Sequence, residues 1–268
     1  MKIAAIVVLY NKKVNESSTL KFFLNNNLSN ISVYVYDNSV KALGNQAECE
    51  RNHWTYLTQG KNVGISNAYN QTIDYVLKNN THVDYFMMLD DDANLTKGYF
   101  NYLEKILKKY NVEIGVPIIK ANGEVLSPCK VGICGRISSV ASLNSLNDKN
   151  LTAINNGMII NKKIFKTIHY NSKLFVDYVD HDFIRQARKK MIKIFIFNYV
   201  LSHNMTIVDK SIDESTRLKR FTLYSKDLKE YYVKSYGEKC YVRLHLLNIG
   251  IRYFIEYNNI KFLEVVFK

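Results

Sequence analysis

Apolar runs alternating with amphipathic helical segments restrict this chain more than any other feature of its sequence. Ile3–Leu9 is apolar at every position, the pattern of a strand covered on both faces. Ser17–Leu28 opens on Ser and spaces Leu20, Phe23, Leu24 and Leu28 along one side of a helix. Ile31–Tyr36 is β-branched and aromatic, a second strand that ends at Asp37. Trp54–Leu57 reads as a short third strand, and Gly64–Lys78 as a helix behind an Asn-Val-Gly turn. Val83–Leu89 is a buried strand that runs into three aspartates, and Thr96–Tyr110 is an amphipathic helix. This order predicts an α/β chain with a mostly parallel sheet and helices on both faces.

Beyond Val112 the pattern changes. Asn122-Gly123, between Ile114–Ile119 and Val125–Leu126, is a strong hairpin signal. Ser138–Leu151 is rich in Ser and Asn and reads as a loop. A strand over Ala153–Ile160, a helix over His181–Lys190 and a strand over Ile192–Phe197 follow. From about Ser211 the chain is helical, aromatic and basic.

The charge bears on partners. The net charge of +13 over 268 residues calls for something anionic nearby. From Arg217 to Lys268 there are eleven Lys/Arg against five Asp/Glu, so the excess is concentrated at the C-terminal end. That segment fits either a helical subdomain packed on the core or a peripheral surface for anionic lipid. No apolar run reaches the length of a membrane span. The four Cys have no CxxC pair, so free thiols are expected.

In an open parallel sheet, ligands bind outside the carboxyl ends of the strands. Three expected strands end there in polar groups: Tyr10-Asn11, Asp37-Asn38-Ser39 and Asp90-Asp91-Asp92. Three adjoining carboxylates repel one another unless a cation or several donors are close. Mg²⁺ or Mn²⁺ would use one or two of them together with phosphate oxygens; capping of the following helix is the structural reading. Gly60–Asn70 is a turn leading into a helix N-terminus, without either Gly-rich phosphate-loop pattern. In Leu174–Arg188, Asp177, Asp180 and Asp182 lie among aromatics, so one is a candidate general base. Pairing of Asp182 with Arg185 at i,i+3 is the structural reading of the same segment. His203 is either an ordinary polar contact or a further metal ligand.

In order along the chain, these pieces resemble family 2 inverting glycosyltransferases of GT-A fold, especially the rhamnosyltransferase-like bacterial members. VVLYNKK, YDNS at Tyr36–Ser39, NVGISNAYN from Asn62, LDDDA at Leu89–Ala93, NNGMII at Asn155–Ile160 and FVDYVDHDFIRQAR carry the likeness. It spans about Lys2 to His203. The resemblance implies a GT-A catalytic domain over 1–210, its nucleotide-binding half at 1–110 and its acceptor side at 111–210. A helical basic subdomain would occupy 211–268.

Residue by residue, it implies that Asp37 bonds the uracil or thymine base, with Tyr10 and Asn38 beside it. Asn62 and Gly64 would line the nucleotide pocket. Asp90 and Asp91 would contact ribose and diphosphate, and Asp92 would hold Mn²⁺ or Mg²⁺ with His203 as a further ligand. Asp180 would be the base and Asp182 its alternative, with Arg185 anchoring that loop and Asn156 and Gly157 on the acceptor side. The implied reaction moves rhamnose or a hexose from a dTDP- or UDP-sugar to a hydroxyl of a glycan or lipid-linked acceptor in bacterial surface polysaccharide synthesis. The implied location is cytoplasmic, with the inner face of the membrane as a candidate surface and a homodimer left open. Two readings compete: a basic nucleic-acid-binding protein and a sugar nucleotidyltransferase. The acidic clusters and the missing Gly-rich opening loop argue against them, and no nucleic-acid partner is expected.

Overall fold

The computed structural model describes residues 1–203, 213–232 and 235–267. Its first half runs β1 (Ile3–Leu9), α1 (Ser18–Leu24), β2 (Ile31–Asp37), α2 (Asn45–Arg51), β3 (Thr55–Thr58), α3 (Ile65–Asn79), β4 (Tyr85–Leu89) and α4 (Lys97–Lys109). Strands β2 and β4 flank β1 in parallel, and β3 extends the sheet beyond β2. The register pairs Leu9 with Asp37, Val7 with Leu89, and Asp37 with Thr58. The polar strand ends therefore share one edge, as the apolar runs predict.

Successive residues of β1 feed opposite cores. Ala4 and Ile6 join Phe86 and Met88 on one face. Ile3, Ala5, Val7 and Leu9 join Met87 and Leu89 on the other. Period-2 alternation buries both sides of the strand, which is why it is apolar throughout.

The second half adds β5 (Ile114–Ala121), β6 (Glu124–Ser127), β7 (Cys129–Val131), β8 (Ile137–Ser138), β9 (Leu151–Thr152), β10 (Met158–Asn161), α5 (Val179–Lys189) and β11 (Ile194–Ser202). The main sheet reads β11-β5-β10-β4-β1-β2-β3, with β6 on β5. Strand β10 is antiparallel to both neighbours. Asn122 and Gly123 take φ of 50° and 84°, the left-handed pair that a tight hairpin requires.

The strand expected over Ala153–Ile160 is divided. Leu151–Thr152 pairs with β7 in a small three-stranded sheet, and Met158–Asn161 enters the main one. Gly157, at φ 85°, breaks the extended run between them. The expected loop over Ser138–Leu151 carries the flanking strands β8 and β9 of that small sheet. Helix α2 was not anticipated.

The C-terminal helices are α6 (Glu214–Tyr232), α7 (Tyr236–Tyr257) and α8 (Lys261–Phe267). Phe221, Leu228, Leu246 and Phe262 belong to the same buried cluster as Met88 and Phe183. Each such side chain contributes about 1.5–3 kcal/mol when buried, so these helices are part of the core. Among the described residues no helix is long and apolar enough to cross a membrane.

Candidate active site

The strand-end loops are cross-linked by side chains. Asp37 is only 2% exposed. Its Oδ2 accepts from Asn45 Nδ2 (2.8 Å) and the Tyr56 hydroxyl (3.1 Å), and its Oδ1 from Ser39 N–H (3.0 Å). Burial and this carboxylate push the Tyr56 phenol up to about 12. A nucleobase meeting Asp37 directly would have to use the remaining lone pair of Oδ1. Asn45, first residue of α2, also bridges Lys12 and Val14 after β1. Tyr10 is half exposed at the mouth of the same edge, and Asn11 N–H donates to Ser39 Oγ at 2.8 Å.

Asn38 and Asn62 build the neighbouring turn. Asn38 Nδ2 donates to Asn62 Oδ1 (2.8 Å), while Asn38 Oδ1 accepts from Val63 N–H and Asn62 Oδ1 from Gly64 N–H. Gly64 has φ 82° and ψ 160°, a region essentially closed to other residues. A Cβ there would lie 2.7 Å from the Phe175 ring and 2.8 Å from its carbonyl oxygen. Ile65 N–H donates to that same carbonyl at 2.6 Å, so the Gly64 turn is seated directly on the segment preceding α5.

Buried hydroxyls at the start of α1, on its capping residue Ser17 and on Thr19, hold the backbone of the acidic triplet. Thr19 Oγ1 donates to the Asp90 carbonyl (2.6 Å) and Ser17 Oγ to that of Asp91 (2.5 Å). The three side chains then diverge in role. Asp91 pairs with Lys12 at 2.7 Å. Asp90 is partly buried, and burial together with the charges of Asp180, Asp92 and Asp91 raises its carboxyl to about 7. Four carboxylates from two distant parts of the chain therefore act on one another here.

Asp180 and Asp182 part company on α5, two residues and about 200° apart around the helix. The charge of Asp180 reaches Asp90, and it adds to burial, the larger cause, in raising Tyr69 and Tyr170 within the core. Its Oδ1 accepts from His181 N–H at 2.7 Å. The His181 ring is pinned by Thr152 Oγ1 at 2.8 Å, with Nε2 4.0 Å from Asp180. Asp182 is 3% exposed and is held by Arg185 and Gln186. It is the structural ion pair of the i,i+3 reading. Arg185 also donates to the Tyr231 carbonyl and lies 4.0 Å over that ring, tying α5 to Tyr231.

Ahead of β10, Gly157 is clamped between Met88, whose carbonyl takes its N–H, and the buried Tyr99 hydroxyl, which donates to its carbonyl at 2.6 Å. Asn156 is buried, its Oδ1 has no partner, and its Nδ2 lies 3.4 Å from His203 Nδ1.

Among the described residues no group of three or more His, Cys, Asp or Glu is gathered to hold a metal ion. The donor chemistry nevertheless fits a hard cation. Such an ion takes one or two carboxylates and draws its other oxygens from phosphate and water. Among the described residues, burial and acidic neighbours raise the Asp90 carboxyl with no positive or donor partner to offset them, and the buried Asn156 oxygen has no hydrogen-bond partner. A separate cavity of about 760 Å³ lies between Val63, Phe175 and Lys229, but no aspartate lines it.

The family model "Glycosyl transferase family 2" matches residues 4–169, well over half of the chain. The chain belongs to glycosyl transferase family 2. No curated protein matches its sequence. Among solved structures, S. aureus TarS superposes with a TM-score of 0.51 at 14% identity, over 95% of this chain and 44% of that one. GalNAc-T7 with UDP, GalNAc and Mn²⁺ gives 0.62 at 9% identity, over 96% and 54%. The mannosyltransferase PcManGT from Pyrobaculum calidifontis, with GDP-Man and Mn²⁺, gives 0.56 at 11% identity, over 91% and 70%. This family-2 chain thus spans about half the length of the first two, and the likeness identifies an α/β GT-A-like fold. The family match stops short of α5 and α6, so Asp180, Asp182, Arg185 and everything that touches them from α6 lie outside it.

Sequence reasoning missed Lys12, Asn45 and Tyr56. Gly44 ahead of Asn45, followed by Gln-Ala-Glu-Cys-Glu-Arg, was the available signal for α2 and hence for Asn45. Lys12 and Tyr56 had none, because their roles arise only when β1, β3 and the aspartates are brought side by side.

Proposed function

We propose that this family-2 chain is a metal-dependent inverting glycosyltransferase that moves a sugar from a nucleoside diphosphate donor to an acceptor hydroxyl. The observation that supports it best is the Asp90 carboxyl, lifted to about 7 by burial and by Asp180, Asp92 and Asp91 at the carboxyl edge of the sheet. Burial and like-charge repulsion of that size cost stability in the empty protein, and a cation with a diphosphate relieves them. TarS in complex with UDP-GlcNAc and PcManGT with GDP-Man and Mn²⁺ are similar folds that hold such ligands.

Asp90 and Asp92 would hold the cation, and Mg²⁺ or Mn²⁺ there would neutralise charge growing on the departing diphosphate. The Asn38–Asn62 turn and the Gly64 end of α3 would form the wall against the nucleotide. Asp180, at the start of α5 and facing Asp90, would take the proton from the acceptor hydroxyl at its carboxylate. That hydroxyl would attack the anomeric carbon opposite the leaving group, so one displacement inverts the configuration without a covalent enzyme intermediate. Asp182 is spent on Arg185, which favours Asp180 as the base. Family membership favours this reading over a nucleic-acid-binding protein or a nucleotidyltransferase. A dTDP- or UDP-linked rhamnose or hexose is our proposed donor, and a glycan or lipid-linked hydroxyl our proposed acceptor.

The test pairs Asp180→Asn with the wild type. Transfer should be lost while nucleoside diphosphate binding persists. Full transfer by the variant removes Asp180 as the base.

A further inference from the structure

Helix α6 presents Arg220, Tyr224, Asp227 and Tyr231 at spacings of four, three and four, which places them on one face. All four grip the short stretch that leads into α5. Asp227 is fully buried. Its carboxylate accepts three successive backbone N–H groups, from Phe175 (2.8 Å), Val176 (2.7 Å) and Asp177 (2.8 Å). Arg220 forms a two-pronged pair with Asp177. Tyr224 bonds the Tyr178 hydroxyl at 3.2 Å, and Tyr231 stacks on the Tyr178 ring at 4.9 Å. Tyr178 itself turns the chain through a left-handed conformation, φ 61°, immediately before Val179 and Asp180.

A carboxylate that accepts several backbone N–H groups fixes them in direction as well as position, because each bond is charge-assisted. Three consecutive amides converging on one acceptor set the path of residues 175–177. The Tyr178 turn then sets where α5 begins. The other side of Phe175 is fixed too, since its carbonyl receives Ile65 N–H behind the Gly64 turn. The segment is thus held between the donor-side turn and α6.

We propose that Asp227 is a positioning residue for the general base: through the 175–177 amides it sets the location of Asp180 relative to Asp90 and the donor-side turn. This rests on the reading of Asp180 as the base. It also makes α6, which lies beyond the family match, a working part of the catalytic centre. Asn in place of Asp227 keeps one acceptor but turns an NH₂ group toward backbone donors, so the 175–177 path must shift. A displacement of about 1 Å at a reacting group costs on the order of a hundredfold in rate.

The experiment compares Asp227→Asn, Asp180→Asn and the wild type. It records kcat, KM for donor and acceptor, the pH profile of kcat, and binding of UDP with Mn²⁺. For Asp227→Asn we expect kcat to fall about a hundredfold, with the acceptor KM unchanged, the donor KM and UDP binding changed far less than kcat, and the acid limb of the pH profile displaced. A folded Asp227→Asn protein with wild-type kcat and pH profile, beside an inactive Asp180→Asn, overturns the positioning role and leaves the base assignment standing. An active Asp180→Asn overturns both. Hydrogen exchange on the wild type covers the case in which Asp227→Asn does not fold. The amides of Phe175, Val176 and Asp177 should exchange as slowly as those of α6, and exchange at the rate of an open loop overturns the proposal.

Discussion

Asp90→Asn should stabilise the empty protein while abolishing its function. The carboxyl rises from 3.8 to about 7 on folding. Roughly three units at about 1.4 kcal/mol each give about 4 kcal/mol. The sign follows from proton counts. An unfolded chain releases this proton near 4, whereas the folded one keeps it to about 7. Between those values the folded state binds more protons, so stability falls as pH rises through the window, and the full penalty is present above it. Asn carries no charge and escapes the penalty. At pH values above 7, without divalent ions, Asp90→Asn should therefore melt higher than the wild type. For a chain of this size each kcal/mol is worth about 2–4 °C, which predicts a gain of several degrees. As the pH falls to about 4 and below the gain should vanish, because the Asp90 carboxyl is then protonated in the folded protein and increasingly so in the unfolded chain. Adding Mn²⁺ with UDP or GDP should raise the melting temperature of the wild type and leave the variant unmoved. The assay is differential scanning fluorimetry across that pH range. A variant that melts at or below the wild type above pH 7, or that differs equally at both ends, refutes the argument that the carboxylates repel.

Two further outcomes follow from the local geometry. Gly64→Ala must place a side chain in a backbone region that costs about 1–3 kcal/mol, with its Cβ 2.8 Å from the Phe175 carbonyl; nucleotide affinity and transfer should fall together, and calorimetry with unchanged affinity would contradict the seating of that turn on Phe175. Tyr99→Phe leaves the Gly157 carbonyl without its buried donor, so chemical denaturation should show a loss of about 1–3 kcal/mol, and an unchanged midpoint would contradict the clamp.

The strand edge was legible because burial on both faces writes itself into every residue of a strand. Ile3–Leu9, Ile31–Asp37 and Tyr85–Leu89 are apolar or β-branched almost without interruption, and each stops at a polar group that lands on the same edge. The Asn122-Gly123 turn was legible because only such residues accept φ > 0 twice. Local signals failed where pairing is nonlocal. The small sheet of β7, β8 and β9 is made from strands of two or three residues, too short to show periodicity. The site divides in the same way. Asp90, Asp180 and Gly64 announced themselves by type and place. The different fates of Asp180 and Asp182 were open until α5 set them on opposite sides, and the carboxylate of Asp227 binds amides fifty residues away, which no spacing rule can foresee.

The most direct test of the account is a melting panel of the wild type with UDP, dTDP, GDP, CDP and ADP, each with and without Mn²⁺. A ligand that binds only the folded state adds about 2.7 kcal/mol at a hundred times its Kd. The expected result is a shift that requires both a nucleoside diphosphate and the metal, and that is lost in Asp90→Asn. A panel in which no nucleotide moves the melt, with or without Mn²⁺, would contradict it.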